Sequence, residues 1–396
     1  MTNQFNYSKI FLIPILLLLC VCRNQENRVE NIILKPSGSM DDSLTTKIDT
    51  VEFIKETVLE SSEEVFLNGF ISKLAVDVEK RVFIVTSNGG APQIYIFDSN
   101  GSFITEIGQH GRGPGEFESI GSIDVGNDKL YALNTRQQKL VTFSLNDFSL
   151  IDDVKLDRSK LKDVPKFIRG SEIYAIEKRE LLIQMKSNTS SKDFRKILFH
   201  RISELGLIQP DTLIEVRNYD LNLPKEPFSV PVIPPYLRST VVDVSKKGII
   251  YSAWTEDFVI RRTTLDGKDK NSITLDVKKV PLNFDMINAS KIKKSEFSDY
   301  EIPENWPVIH TIVTDDEERV WVSTITSSDS IFQWWVFDDE GNLRAQFQKS
   351  GEKSDRSVIT QPLILIKNNY WYELERNLGK NIDRIVKYKI EFKERE

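Results

Sequence analysis

The chain has 396 residues and a formal net charge of −6, with acidic and basic residues mixed along its length instead of blocked. It carries no basic stripe able to neutralise a phosphate backbone, so nucleic acid is not an expected partner. Two cysteines rule out a disulfide-stapled scaffold, and the 40% hydrophobic content is enough for a large apolar core to hold the fold instead.

Residues 1–9 are polar and carry one cation, Lys9, and Ile10 to Val21 then runs twelve residues without a charge. As a helix that run spans roughly 18 Å, well short of the ~30 Å hydrocarbon core. A short apolar run behind a basic start reads as an export signal. Both cysteines, Cys20 and Cys22, fall where it ends. The arrangement resembles the lipid-attachment boundary of bacterial lipoproteins, in which the residue before the modified cysteine is small. Val21 departs from that pattern less than Leu19 does, so Cys22 is the expected attachment site and Cys20 the alternative; ordinary residues of a signal sequence remain the plainer reading. Residues 1–21 are therefore expected to be a signal peptide, whose removal with Lys9 leaves a net charge of −7. Residues 22–50, polar and bearing Pro36-Ser-Gly38, are expected to form a flexible tether.

Past the tether the chain repeats one pattern. Leu74–Asp77, Val82–Val85, Ile94–Phe97 and Phe103–Ile107 are short apolar runs separated by turn residues such as Asp98-Ser-Asn-Gly101. Ser122–Val125, Leu130–Leu133, Leu140–Phe143 and Leu150–Val154 copy them, with Phe97 and Phe143 46 residues apart. Looser copies begin near Ile173, Val241, Thr311 and Leu363. The runs are β-branched and aromatic with no 3.6-residue period, so they are strands. A four-stranded unit of this size cannot bury both faces alone, and radial stacking of such units makes a propeller. The last unit lacks a fourth strand, and Val51–Val58, outside the repeats, is placed to supply it and close the ring.

Between the first two units lies Gly108-Gln-His-Gly-Arg-Gly-Pro-Gly-Glu-Phe117, whose glycines and proline cannot continue a strand. This segment, followed by SIGSIDVGNDKLYALNTRQQKLVTFSLND, resembles the NHL-type repeat. The arrangement as a whole looks like the six-bladed β-propellers of exported bacterial lipoproteins. The resemblance is specific over residues 51–155, patchy over 156–300 and moderate beyond. It implies an all-β fold of six blades of four antiparallel strands over residues 51–396, with the glycine-rich segment on the face where ligands usually bind. The third unit has no Gly-Pro-Gly-Glu-Phe counterpart, so five and seven blades stay open beside six.

In that register the loops 108–119, 155–170, 217–240, 280–308 and 348–360 share one face. The candidate ligand-binding residues on it are His110, Arg112, Arg136, Tyr236, Arg238, Trp254, Trp306 and Trp334, since aromatic and arginine side chains on loops serve as anchors. Each serves equally well as packing between blades. The three histidines, His110, His200 and His310, show no short metal-ligand spacing, and nucleophile-elbow, P-loop and EF-hand patterns are absent. Asp77, Asp124, Asp243 and Asp315 recur where the first strand of a unit ends, which points to turn geometry. The reading is a monomeric, membrane-anchored, exported module that binds a protein, peptide or glycan through its loop face, with no cofactor and no chemistry of its own. The alternatives are a metal-dependent propeller hydrolase, lactonase or lyase using His110 and His310, and an assembly component of the envelope.

Overall fold

In the computed structural model, residues 48–62, 65, 67, 70–88, 91–186, 196–219, 236–282, 303–328, 330–351, 362–377 and 382–394 are described. Their repeats form six four-stranded antiparallel sheets. Cys20, Cys22, the signal segment, the expected tether through residue 47, the prolines of the 217–240 loop and Phe284 lie outside the described residues; the last residues assigned to the tether belong to the ring instead, Asp49 bonding Arg344 O and Thr50 opening a strand.

Blade 1 is Phe70–Val76, Val82–Asn88, Ala91–Phe97 and Phe103–Ile107. Blade 2 is Ile120–Gly126, Lys129–Asn134, Lys139–Ser144 and Leu150–Lys155. Blade 3 is Arg169–Ala175, Leu181–Lys186, Lys196–Ile202 and Ile208–Arg217. Blade 4 is Thr240–Val244, Ile250–Trp254, Val259–Thr263 and Asp269–Thr274. Blade 5 is Ile309–Thr314, Val320–Ile325, Ile331–Phe337 and Leu343–Ser350. Blade 6 takes Ile364–Lys367, Tyr370–Asn377 and Ile382–Lys393 from the end of the chain and Thr50–Leu59 from its beginning. The first strand of each blade lines the centre of the ring. The protein is a six-bladed β-propeller.

The closing strand bears out the sequence expectation. It runs antiparallel to the last strand from Thr50↔Lys393 to Leu59↔Ile385, with one irregularity near Lys55. Phe53 seals the joint, packing edge-on against Trp371 at 5.4 Å and tilted against Phe347 at 5.1 Å.

Burial follows position in the blade. Val82, Phe83, Ile84 and Val85 are all buried, because neighbouring blades cover both faces of a second strand. The outer strand Phe103–Ile107 alternates between half-buried and exposed, since its far face meets water. The buried apolar residues gather into six clusters, one at each junction between consecutive blades. Each fully buried large side chain in them contributes roughly 1.5–3 kcal/mol. Among the described residues the only helix is the single 3-10 turn Glu177–Arg179, and no helix is long and apolar enough to cross a membrane.

The turns repeat as the strands do. Asp98 Oδ1 accepts from the amides of Asn100 and Ser102, and Asp338 Oδ1 does the same for Glu340 and Asn342. Gly101 and Gly341 then take φ of +91° and +95°, which a side chain would strain. The four aspartates grouped by the sequence pattern separate into two kinds. Asp77 and Asp315 each hold an inner turn by accepting from the Nε of the arginine four residues on, at 2.6 Å. Asp124 and Asp243 sit two residues earlier in register, inside the strand, and reach the next blade: Asp124 accepts from Ala175 N and Asp243 from Thr314 N. The single turn role expected for all four is thus corrected for these two, whose register on the innermost strand faces the channel.

Candidate functional site

The six innermost strands enclose a central cavity of about 1570 Å³. Its wall continues into the connections between blades through Asn218, Ser239, Gly351, Pro362 and Leu363. Charged side chains cross this space in pairs. Lys73 of blade 1 donates to both oxygens of Glu172 on blade 3, at 2.9 and 3.1 Å. Lys246, just past the innermost strand of blade 4, donates to both oxygens of Asp124 on blade 2 and to Ala175 O. Each pair passes over the blade between its partners. Lys367 of blade 6 reaches Val76 O of blade 1 at 2.6 Å; burial first, then the Lys246 charge, lowers its pKa to about 8. Burial raises that of Asp243 to about 6, against the opposing bonds from Thr314.

The glycine-rich segment folds on itself. Glu116 is its hub, accepting from Gly113 N at 2.8 Å and Gln109 Nε2 at 2.9 Å, and the Gly113 bond is the main reason its pKa is lowered. Gln137 Nε2 of blade 2 bonds Gly111 O, and Asp153 accepts from Gly115 N, so the segment is fixed against its blade. Phe117 is fully buried beneath it. The sequence signal for Glu116 was its place in Gly-Pro-Gly-Glu-Phe, but nothing there showed that its carboxylate would cap the loop from within.

The eight candidate residues do not converge. Arg112, with its side chain 82% exposed and paired to Glu118, and His110 stand out on the glycine-rich loop. Arg136 is exposed beside them, its carbonyl accepting from Arg169. Trp254 is half-buried under the Arg217 guanidinium, 3.6 Å from its ring centre. Tyr236, Trp306 and Trp334 lie in the buried cluster between blades 5 and 6, where Trp334 stacks on Phe347 and meets Trp371 edge-on at 4.9 Å. Arg238 is buried, paired with Glu256 and donating to Tyr236 O and Asn305 O. It clamps the two long connections together instead of facing outward.

The two histidines of the metal alternative part in the same way. His310 is buried in the cavity wall, stacked on Phe332 at 4.4 Å with Nδ1 3.3 Å from Ser323 Oγ. His110 is exposed on the loop. Among the described residues no group of three or more His, Cys, Asp or Glu side chains is arranged to hold a metal ion. The residues sequence reasoning missed are the cavity lysines, Lys73, Lys186, Lys246, Lys349 and Lys367. Each sits singly in an ordinary strand or turn, and only ring closure brings them together.

Comparison with known proteins agrees with this architecture. The DUF5128 family, described as a 6-bladed beta-propeller, matches residues 22–217. Among solved structures, one of a protein from Bacteroides fragilis described as exported matches with a TM-score of 0.52 at 15% identity, covering 90% of this chain and 98% of that one. A member of the duf4221 family from Bacteroides vulgatus matches with a TM-score of 0.50 at 12% identity, covering 87% and 99%. At such identities the likeness is one of fold alone. No curated protein sequence matches the chain.

Proposed function

We propose that the protein is an exported, lipid-anchored propeller that binds a protein, peptide or glycan and performs no chemistry of its own. The observation that carries this reading is the central cavity of about 1570 Å³, whose wall runs into the connections between blades. A cavity of this kind, part apolar and part polar, is the usual form of a ligand site. Its carboxylates Glu172 and Asp124 are tied to lysines by direct ion pairs, which favours a positioning role for them over proton transfer. Export is supported by the uncharged Ile10–Val21 run and by the exported description of the Bacteroides fragilis protein. NHL-type likeness of the glycine-rich segment supports the loop face as the side of entry.

Capture of envelope proteins and glycans on the immobilised full chain, scored against a variant with Lys73 and Lys246 both changed to Met, tests the binding. Capture that depends on the cavity is expected. Turnover of a substrate, abolished by Glu172→Gln or Asp124→Asn, would overturn the non-catalytic reading. Cys22→Ser is expected to move the protein out of the membrane fraction; the same shift from Cys20→Ser alone places the anchor there instead.

A further inference from the structure

Five lysines line the central cavity: Lys73, Lys186, Lys246, Lys349 and Lys367. Four of them already hold an oxygen. Lys73 pairs with Glu172, Lys246 with Asp124, Lys349 with Glu373, and Lys367 donates to Val76 O. Lys186 differs. It ends the second strand of blade 3, half-buried and opposite Arg169 in register. It has no hydrogen-bond or ion-pair partner among the described residues. A partly desolvated ammonium without an anion is an unfavourable arrangement. Burial lowers its pKa, and the neighbouring Lys73 charge acts in the same direction while Glu172 opposes both. The carboxylate of Glu172 is already engaged by Lys73, so the three side chains together carry one uncompensated positive charge.

The surrounding wall suits one kind of anion carrier. Ser72, Asn218, Thr240, Ser330 and Ser350, each at least partly exposed, line the same cavity. Neutral donors and acceptors in this number match a ligand that is itself polyhydroxylated. We propose that Lys186, seconded by Lys73, receives the carboxylate of a sugar acid in the central cavity, with the hydroxyl-bearing wall taking the rest of the ring. This rests on the binding reading above and names the ligand class for that site. The geometry needs no movement of the Lys73–Glu172 pair: Glu172 keeps Lys73 in place, and the incoming carboxylate supplies the partner that Lys186 lacks among the described residues.

The test is calorimetric titration of the full chain in detergent with trigalacturonate, with its methyl ester, and with acetyl-trialanine as a carboxylate that lacks hydroxyls. The acid is expected to bind about tenfold or more tightly than its ester, the worth of one charge-assisted contact. Lys186→Gln should remove that preference and Lys186→Arg should keep it. The acid-to-ester ratio is read on the unaltered protein, so it does not depend on any variant folding. Equal binding of acid and ester, or an unchanged preference in Lys186→Gln, overturns the anion site while leaving the cavity as a binding site. Lys186-dependent binding of the peptide without the sugar acid overturns the ligand class. Absence of binding by all three up to about 10 mM overturns the inference outright.

Discussion

Lys246 and Asp124 belong to blades 4 and 2, yet the lysine Nζ lies 3.0 Å from each carboxylate oxygen. The same Asp124 accepts from Ala175 N and the same Lys246 donates to Ala175 O, so the pair sews blade 3 in between them. Both side chains are partly exposed to the cavity, at 29% and 20%, which screens their attraction. Lys246→Met is therefore expected to cost about 1–2 kcal/mol, and a double-mutant cycle with Asp124→Asn to give a coupling of about 1 kcal/mol. Urea unfolding of the four proteins measures it. A coupling of zero would show that the pair adds nothing to the packing of these blades.

Phe53 packs the first strand against Trp371 and Tyr388 of the last blade and against Phe347 of blade 5. Phe53→Ala should destabilise the ring by about 3 kcal/mol, at the low end for buried phenylalanines because the residue is only half-buried. Hydrogen exchange should then show early loss of protection in Thr50–Leu59 and Ile382–Lys393 together. Loss spread evenly over all blades would refute a local joint.

Gly108 has φ of +73°, and a Cβ there would come within 2.7 Å of the Phe117 ring. Both the backbone and the buried aromatic oppose a side chain. Gly108→Ala is expected to cost about 1–3 kcal/mol in urea unfolding. Arg112→Ala, four residues on, should change stability by less than about 0.5 kcal/mol, because its side chain is 82% exposed.

Asp243 gives the fold a pH dependence of unusual sign. Burial raises its pKa to about 6, above the usual carboxylate value of about 4 in an unfolded chain. Between those values the folded state binds more protons than the unfolded one. Stability from this group is therefore full at the acid end and is lost as pH rises through about 6. Since the side chain also meets water in the cavity, the effect is expected near 1 kcal/mol, well below the full linkage value of about 3 kcal/mol. Asp243→Asn keeps an oxygen for Thr314 N and should gain about that much at pH 7 relative to pH 4.5. Equal differences at the two pH values would show that the carboxylate is ionised throughout.

The ring itself was legible because it is written locally. Runs such as Val82–Val85 and turns such as Asp98–Gly101 repeat with the chain, and Val51–Val58 stood out by having no partner in its own unit. The fourth strand of blade 3, Ile208–Arg217, was not legible, since Pro210 and Asp211 break its apolar run. Trp306 and Trp334 looked like loop anchors because composition does not tell an aromatic facing water from one facing the next blade. The cavity charges were the least visible. Lys73 and Glu172 are 99 residues apart, and Lys246 and Asp124 are 122 apart, so their pairing exists only once the circle is complete.

The strand Thr50–Leu59 completes the last blade from the beginning of the chain, and Asp49 before it bonds Arg344 O on blade 5. Any tension applied to the protein from its amino-terminal side enters the ring there. The load falls first on the Asp49 bond and on the Thr50↔Lys393 end of the ladder, and the pairs beyond it would open one after another toward Leu59. The clasp that makes the circle is thus also where it would yield to force, leaving the five single-segment blades with their own pairings intact.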